Sequence, residues 1–343
     1  MVELRRIEKI LVIKLRAVGD VLLSTIVLKN LRNHFPEAQI DFLTEPASRE
    51  ILEGNRTINN LLIFNPGSDK SLSFLWRLRR SGYDLVLDLF GNPRTALMTY
   101  STRARYRVGF AFRGRQYAYN IHVPPRGGAV HNTEFNLDAL RALEIEIIDR
   151  EITFDIPRRD QEYVDAFLRR EKLGGDGLIG INPSGTWYTK RWGLKKFAKL
   201  GDKLTEAYGG RVILLWGPWE ENEARQIKEM MRHPSIIPPR TTLKQLGAFL
   251  KRCAFVVSND AGPMHLSAVL GVPTLGIYGP TNPYTQGPIG ERNVWVRLEG
   301  LDCLGCNLTS CPIGHPCMDR LSVDAVTRAG EELVEKNQIL ITA

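Results

Sequence analysis

Residues 256–266 combine the end of an apolar run, a polar turn and the start of a helix. The apolar run predicts a buried strand, and Gly262 with Pro263 opens the predicted helix, which carries His265. Proline suits a first helical turn because the N–H that it lacks would be unpaired there. A helix start offers free N–H groups and partial positive charge, which favour an anion such as a diphosphate. The stretch therefore predicts a site for a phosphate-bearing ligand, with Asp260 and His265 beside it.

Two more loops at predicted strand ends carry residue types that suit such a ligand. Residues 182–192 offer hydroxyl groups, a glycine and the mobile charge of Lys190, all of which can contact phosphate oxygens. In residues 216–221, the carboxylate of Glu220 can accept hydrogen bonds from ribose hydroxyls. Each loop also has a structural interpretation. The aromatic residues of the first can pack on the sheet with its cations in water, and Glu220 can simply favour a helix N-terminus.

The first predicted strand ends in a turn that holds Gly19, and a helix begins at or just after Asp20. Glycine there allows a ligand to approach the backbone closely. The structural alternative is that Asp20 caps the helix. The turn lacks the G-x-G-x-x-G pattern of dinucleotide-binding folds, which argues against a dehydrogenase.

Four of the five cysteines cluster near the C-terminus, at Cys303, Cys306, Cys311 and Cys317. A cytoplasmic chain does not keep disulfides, so the clustering suggests a zinc or iron–sulfur site. The alternative is a loop of free thiols. Cys253 stands apart beside a predicted strand, where we expect it in the core.

The 343 residues carry a formal net charge of +8, which favours an anionic partner or a solvated basic surface. The apolar runs are far shorter than the ~20 residues that span a bilayer, and we expect a cytoplasmic protein. Residues 94–126 are rich in arginines interleaved with aromatic residues. These arginines are Arg94, Arg103, Arg105, Arg107, Arg113, Arg115 and Arg126. We expect this region to touch an acidic acceptor or a membrane surface.

Strands and helices alternate along the chain, which predicts parallel βαβ units in two doubly wound α/β domains. The predicted strands are 9–15, 39–43, 60–64, 84–89, 178–182, 211–216, 236–237, 254–258 and 273–278. The predicted helices are 20–35, 69–80, 95–101, 160–172, 194–208, 220–232, 242–252, 263–270 and 323–336. The predicted domains are 1–155 and 178–322, with a flexible linker at 156–177 that includes glycines 174, 175 and 177, and a terminal helical segment at 323–343.

Together these motifs resemble the lipopolysaccharide heptosyltransferases, the ADP-heptose-dependent enzymes of glycosyltransferase family 9. The resemblance covers nearly the whole chain, and its anchors are residues 14–23, 186–192 and 257–281. It implies the GT-B fold, in which two Rossmann-like domains face a cleft. The N-terminal domain would hold the acceptor and the C-terminal domain the sugar nucleotide, with the last helix returning toward the N-terminal domain.

The resemblance also implies a role for each matching residue. Asp20 matches the general base, and Lys190 the basic residue near the phosphates. Glu220 matches the ribose-binding acid, with Glu221 as the alternative. The remaining nucleotide-sugar positions are Gly185, Thr186, Asp260, Ala261, Gly262, Pro263 and His265. The residues expected to contact the acceptor are Gly19, Arg113 and Arg115.

The implied activity is inverting transfer of L-glycero-D-manno-heptose from ADP-heptose to Kdo–lipid A, or to its heptosylated form, at the inner face of the inner membrane. No cofactor is expected for transfer, since no Asp-x-Asp motif stands in either site loop, and no nucleic-acid partner is expected. One alternative is a transferase of the same family with another sugar nucleotide or acceptor. A second is a non-enzymatic nucleic-acid-binding protein with a cysteine-rich metal module.

Overall fold

Each half of the chain is built on a parallel sheet whose strand order reverses beside its first strand. The computed structural model describes residues 4, 6–69, 71–124, 126, 129–173 and 177–340. It divides into two units, Met1–Asp155 and Ile156–Ala343. Within the described residues, the first sheet has the order β3-β2-β1-β4-β5-β6 and the second β12-β11-β10-β7-β8-β9. This is the strand order of dinucleotide-binding α/β folds, and it confirms the predicted α/β class.

The first unit contains the strands β1 Lys9–Ile13, β2 Gln39–Thr44, β3 Asn60–Ile63, β4 Leu85–Asp88, β5 Tyr106–Phe110 and β6 Ile121–Val123. Its helices are α1 Val18–Ser24, α2 Ile26–His34, α3 Arg49–Leu52, α4 Ser71–Arg80, α5 Pro93–Thr102 and α6 Asn132–Arg141. The central strands β1 and β4 are almost fully buried, as a sheet covered on both faces requires.

The second unit contains the strands β7 Leu178–Asn182, β8 Arg211–Leu214, β9 Ser235–Ile236, β10 Cys253–Asn259, β11 Thr274–Tyr278 and β12 Val294–Arg297. Its helices are α7 Arg158–Arg170, α8 Leu194–Tyr208, α9 Glu221–Met230, α10 Leu243–Leu250, α11 Gly262–Val269, α12 Pro283–Gln286, α13 Pro316–Asp319 and α14 Val323–Asn337. One apolar core joins residues of its central strands to α8, α9 and α14.

The helix predicted at 20–35 is two helices in the structure, α1 and α2, which meet at Thr25. The hydroxyls of Ser24 and Thr25 donate to the carbonyls of Val21 and Leu22, each at 2.8 Å. Hydroxyl groups that bond back to the preceding turn compete with the regular helical pattern, which accounts for the break.

Strands β5 and β6 lie within the region that the sequence suggested as a basic binding surface. Arg107 sits in β5, and its guanidinium donates to the carbonyls of Ala104 at 2.6 Å and Ala118 at 2.9 Å. Arg126 is paired with Asp138 at 2.6 Å. These two arginines therefore serve the fold, and only part of the predicted basic region can meet a partner.

The segment predicted as a linker holds a packed helix. Helix α7 contacts α10, and the rings of Phe167 and Phe249 meet edge to face at 5.4 Å. Residues 156–173 thus belong to the second unit because α7 buries an apolar face there, while glycines 174 and 175 lie outside the described residues. Helix α14 packs on α8, β11 and β12. Its expected return toward the N-terminal domain stays a prediction.

In the described part of the chain, no helix combines the length and the apolar character that crossing a membrane requires.

A glycine in β5 makes room for the ring of Tyr119, whose hydroxyl reaches Asp88 at the end of β4. A methyl group added at Gly109 would overlap the ring of Tyr119, whose hydroxyl donates to Asp88 at 2.7 Å. We expect Gly109→Ala to lower the free energy of unfolding by about 1–3 kcal/mol, the usual cost of overpacking. Urea unfolding measures this change. Gly67→Ala, where the added methyl makes only ordinary contacts, is the control, and an equal effect of both substitutions would contradict the prediction.

Candidate active site

The carboxyl ends of β7 and β10 form the topological switch point of the second unit, because the chain continues from them toward opposite edges of the sheet. The buried side chain of Asn259, at the end of β10, contacts both ends of the loop that follows β7. Its Oδ1 accepts from the N–H of Trp192 at 3.3 Å, and its Nδ2 donates to the carbonyl of Pro183 at 2.6 Å. The loop after β7 is thereby held against the end of β10.

Lys190 and Asp260 meet across this switch point. The Nζ of Lys190 lies 2.7 Å from Oδ2 of Asp260, and the two side chains are only 15% and 4% exposed. The buried hydroxyl of Thr281 donates to the same Oδ2 at 2.6 Å. The ammonium also lies 4.6 Å from the centre of the Trp187 ring. A partly buried cation is thus held by a carboxylate whose one oxygen accepts from two side chains.

Helix α11 begins directly after this aspartate. Its N-cap residue, Ala261, has an extended backbone and gives the helix no side-chain hydrogen bond. Gly262 and Pro263 form the first turn, and His265 is buried one turn along. The structure therefore gathers Lys190 and Asp260 next to a helix start without a side-chain cap, as an anion site requires.

Glu220 lies between the loop after β7 and the loop after β8. Its Oε1 accepts from the N–H of Gly185 at 3.3 Å, and its Oε2 from the N–H of Gly217 at 3.1 Å. Arg191 approaches the same carboxylate at 3.3 Å and donates to the carbonyl of Gly185 at 2.7 Å. The Glu220 carboxylate therefore connects the loop after β7 to the loop after β8.

The alternative carboxylate, Glu221, lines a neighbouring cavity of about 240 Å³ together with Trp216, Pro218, Trp219, Asn222 and Arg240. It also accepts from the guanidinium of Arg225, whose Nε lies at 3.1 Å. Trp219 is 95% exposed at the edge of this cavity. Thr186 is exposed in the loop after β7. The cavity and both candidate carboxylates therefore lie along one edge of the second sheet.

The motif analysis did not name two polar side chains of this site individually. Thr281 stands in the loop after β11, directly after the Gly-Pro pair at residues 279 and 280. Ser184 is buried next to Gly185, and in the described part of the chain its hydroxyl makes no hydrogen bond.

The switch point of the first unit lies between β1 and β4, and it also brings a lysine close to carboxylates. Lys14 donates to the carbonyl of Leu89 at 2.9 Å. Burial lowers the pKa of its ammonium, while the negative charges of Asp20 and Asp88 oppose that shift. Burial raises the pKa of the Asp88 carboxyl, against the hydrogen bonds it accepts from Gly91 and Tyr119.

Asp20 is half-buried in the first turn of α1, beside the buried Gly19. The helix begins at Val18, two residues before the predicted start, and Oδ2 of Asp20 reaches back to accept from the N–H of the N-cap residue Ala17 at 3.2 Å. Arg113 is exposed in the turn after β5, and the guanidinium of Arg115 lies 5.8 Å from the centre of the Phe112 ring. The structure places Asp20 at the switch point with Lys14, a neighbour that the motif analysis did not single out.

The four clustered cysteines lie in different surroundings, and the zinc or iron–sulfur site that their spacing suggested stays a prediction. No group of three or more His, Cys, Asp or Glu side chains in the described ranges is arranged to hold a metal ion. Cys306 is exposed and Cys317 is buried, and burial raises the pKa of the Cys317 thiol, which disfavours the thiolate that binds metals. The Sγ of Cys311 accepts from the N–H of His315 at 3.2 Å. None of these four cysteines forms a disulfide: Cys303, Cys306 and Cys311 lie outside the helices and strands, and Cys317 lies in α13.

Loss of the Asn259 amide should destabilise the second unit. Asn259→Leu keeps a similar volume but leaves the N–H of Trp192 and the carbonyl of Pro183 without their partner, at a cost of roughly 1–3 kcal/mol for each buried group. Urea unfolding followed by tryptophan fluorescence measures the change. Asn222→Leu, at an exposed position of α9, is the control, and a midpoint unchanged in both variants would show that Asn259 does not hold the loops.

Comparison with known proteins shows the family of this chain. The sequence profile of Glycosyltransferase family 9 (heptosyltransferase) matches residues 71–315. Lipopolysaccharide heptosyltransferase 3 of Escherichia coli is 28% identical over 280 residues, which cover 77% of this chain and 81% of the relative. Other curated relatives are named as heptosyltransferases 1 and 2.

Solved structures show the same fold. A family 9 glycosyltransferase from Veillonella parvula superposes with a TM-score of 0.83 at 23% identity, covering 96% of this chain and 97% of that protein. The E. coli heptosyltransferase WaaC with ADP superposes with a TM-score of 0.70 at 22% identity, covering 95% and 99%. The predicted GT-B fold is confirmed, and the chain belongs to glycosyltransferase family 9, the heptosyltransferases of lipopolysaccharide core synthesis.

Proposed function

We propose that this chain transfers L-glycero-D-manno-heptose from ADP-heptose to the inner core of lipopolysaccharide, at the inner face of the inner membrane and with inversion at the anomeric carbon. The observation that carries the proposal is the cluster of Lys190, Asp260 and Thr281 at the start of α11. A cation and a helix N-terminus at a switch point suit the diphosphate of a sugar nucleotide.

When a diphosphate binds, the Lys190 ammonium would leave Asp260 and pair with the phosphate oxygens instead. Thr281 can keep its hydrogen bond to Asp260 during this exchange, so that the carboxylate retains one of its two donors. As the bond between the heptose and the diphosphate breaks, negative charge develops on the leaving ADP. Lys190 and the N–H groups of α11 can stabilise that charge without a metal ion.

The cavity beside Trp216 and Trp219 suits the planar base of the nucleotide. An exposed indole offers an apolar face for stacking. Glu220, or Glu221 at the cavity wall, can accept from the ribose hydroxyls. WaaC, a structural neighbour, was solved with ADP, and the same base is our proposal for this chain.

Asp20 is the proposed general base. It would remove the proton from the acceptor hydroxyl while that oxygen forms a bond to the anomeric carbon and ADP leaves from the opposite side. Its place beside Gly19 at the switch point of the first unit supports this role. Arg113 and Arg115 carry positive charge that suits the phosphorylated Kdo–lipid A acceptor.

The transfer assay tests the proposal directly. Purified protein should convert ADP-heptose with Kdo–lipid A or its heptosylated form, and Asp20→Ala should lower kcat by about 10²–10⁴-fold, the usual contribution of a general base. Asp20→Ala should still bind ADP, as calorimetry would show. No product with either acceptor would refute the proposed reaction, and a variant with normal kcat would remove Asp20 from the role of base.

Calorimetric titration with ADP, GDP and UDP tests the donor site. We expect tightest binding of ADP, and Lys190→Ala should weaken it by about tenfold or more, because a charged hydrogen bond contributes about 1.5–3 kcal/mol. Lys199→Ala, at an exposed position of α8, is the matched control. A preference for UDP would favour a family member with another donor.

Thr281→Val should weaken ADP binding by about tenfold or more, because the hydrogen bond it removes goes to the Asp260 carboxylate and a hydrogen bond to a charged group contributes about 1.5–3 kcal/mol. Without the hydroxyl, Lys190 is the remaining side-chain donor to Asp260 Oδ2, so drawing it toward a diphosphate costs more. Thr281→Ser should restore the affinity because it restores the hydroxyl. Equal affinity of the valine variant and the parent protein would show that Asp260 does not need this donor.

A further inference from the structure

Helix α4 of the first unit presents apolar and basic side chains to solvent on one stripe. Leu72 is 82% exposed and Trp76 59% exposed, and Arg79 and Arg80 are exposed further along the helix. These positions are spaced i, i+4, i+7 and i+8, so they share one face. Phe74 and Leu78 are buried on the opposite face. One face of the helix therefore packs into the core of the first unit. The other face is exposed and carries a leucine, a tryptophan and two arginines.

The neighbouring helix also exposes apolar side chains. Helix α5 packs against α4, and its exposed side chains include Leu97 and Tyr100. The rings of Tyr100 and the exposed Tyr117 meet edge to face at 5.7 Å. Together, Leu72, Trp76, Arg79, Arg80, Leu97 and Tyr100 define the α4–α5 face.

The charge of this region has one sign. Residues 70–83 and 89–133 of the sequence contain no Asp and no Glu, although arginines recur throughout both stretches. Arg103, directly after α5, and Arg105 are exposed as well. The arginines of these two segments would attract an anionic surface. Because the segments contain no Asp or Glu, no acidic side chain of theirs would repel it.

We propose that the α4–α5 face docks on the surface of an anionic phospholipid bilayer. Trp and Leu at the level of the headgroups, next to arginines that reach lipid phosphates, form the composition of an interfacial helix. A second copy of this chain suits the face poorly, since an isologous contact would bring two basic patches together with no acidic residue of these two segments to pair with the arginines. Nucleic acid would match the arginines but leave Leu72 and Leu97 without an apolar environment. The inference takes from the proposed function only that the acceptor is a membrane lipid.

Vesicle flotation of the full chain tests this proposal. We expect binding to vesicles of phosphatidylethanolamine and phosphatidylglycerol, weak binding to phosphatidylcholine vesicles, and a loss of binding as salt is raised. Arg79→Gln with Arg80→Gln should lower the partition coefficient by about tenfold or more, since each basic residue near an anionic surface contributes about fivefold. Leu72→Ser with Trp76→Ser should lower it by about tenfold through lost apolar burial.

Matched controls lie on the second unit. Leu340→Ser removes a leucine that is 88% exposed, and Arg158→Gln with Arg159→Gln removes two adjacent exposed arginines. These variants should float like the parent protein, and circular dichroism melting should show every variant folded. Equal flotation of the α4–α5 variants and the parent would overturn the proposal, as would equal binding to both vesicle types. Parent protein that does not float but dimerises through the face would assign the face to a second copy instead.

The vesicles carry no sugar acceptor and the assay needs no donor, so its result does not depend on the transfer reaction. On a water-soluble acceptor without acyl chains, the α4–α5 variants should keep the parent kcat/KM, while on acceptor embedded in vesicles they should lose activity. Equal losses on both acceptors would show that the face serves catalysis rather than docking. Absence of turnover with intact vesicle binding would refute the proposed function and leave the docking surface in place.

Discussion

The reversal of strand order beside β7 is the constraint on which the site depends. Strands β7 and β10 are neighbours, but the chain runs from β7 to β8 on one side and from β10 to β11 on the other. Their carboxyl ends therefore open into a crevice between two loops. The loops around such a crevice must be held in place. The Asn259 side chain holds the loop after β7 through one hydrogen bond near its start, at Pro183, and one near its end, at Trp192.

The ion pair in that crevice is suited to exchange rather than to stability. Removing Lys190 and Asp260 from water costs free energy that their mutual attraction only partly repays, so a buried pair is weak support for the fold. A diphosphate offers the same ammonium two or more anionic oxygens at the same place. Thr281 lowers the cost of the exchange because Asp260 keeps a donor when the ammonium moves. The free site and the occupied site can thus be close in energy, as the proposed donor site, which must also release its nucleotide, requires.

Local patterns predicted most strands of both sheets, because apolar runs bounded by polar turns identify buried parallel strands. The predictions for β7 and α8 match the structure at both ends. Strands β5, β6 and β12 were not predicted, and they carry the polar residues Arg107, His122 and Arg297. The guanidinium of Arg107 is satisfied by backbone carbonyls of the two loops that flank β5, which a hydrophobic pattern does not report. For the same reason, the motifs placed Lys190 and Asp260 in two separate loops, while their contact follows from the strand order.

Each switch point holds an aspartate, Asp88 in the first unit and Asp260 in the second. The two carboxylates differ in the hydrogen-bond donors that hold them. Asp88, at the end of β4, accepts from backbone N–H groups of Phe90 and Gly91 and from the hydroxyl of Tyr119. Those N–H donors belong to the adjacent turn and cannot leave, so Asp88 is a fixed part of the first unit. Asp260, at the equivalent place in the second unit, is held by Lys190 and Thr281, which are side chains from other loops. The same topology thus gives one rigid crevice and one whose cation can be shared with a ligand. A rigid crevice suits the proposed role of Asp20 as a base, which must hold its position relative to a hydroxyl, and an exchangeable one suits the proposed charged leaving group.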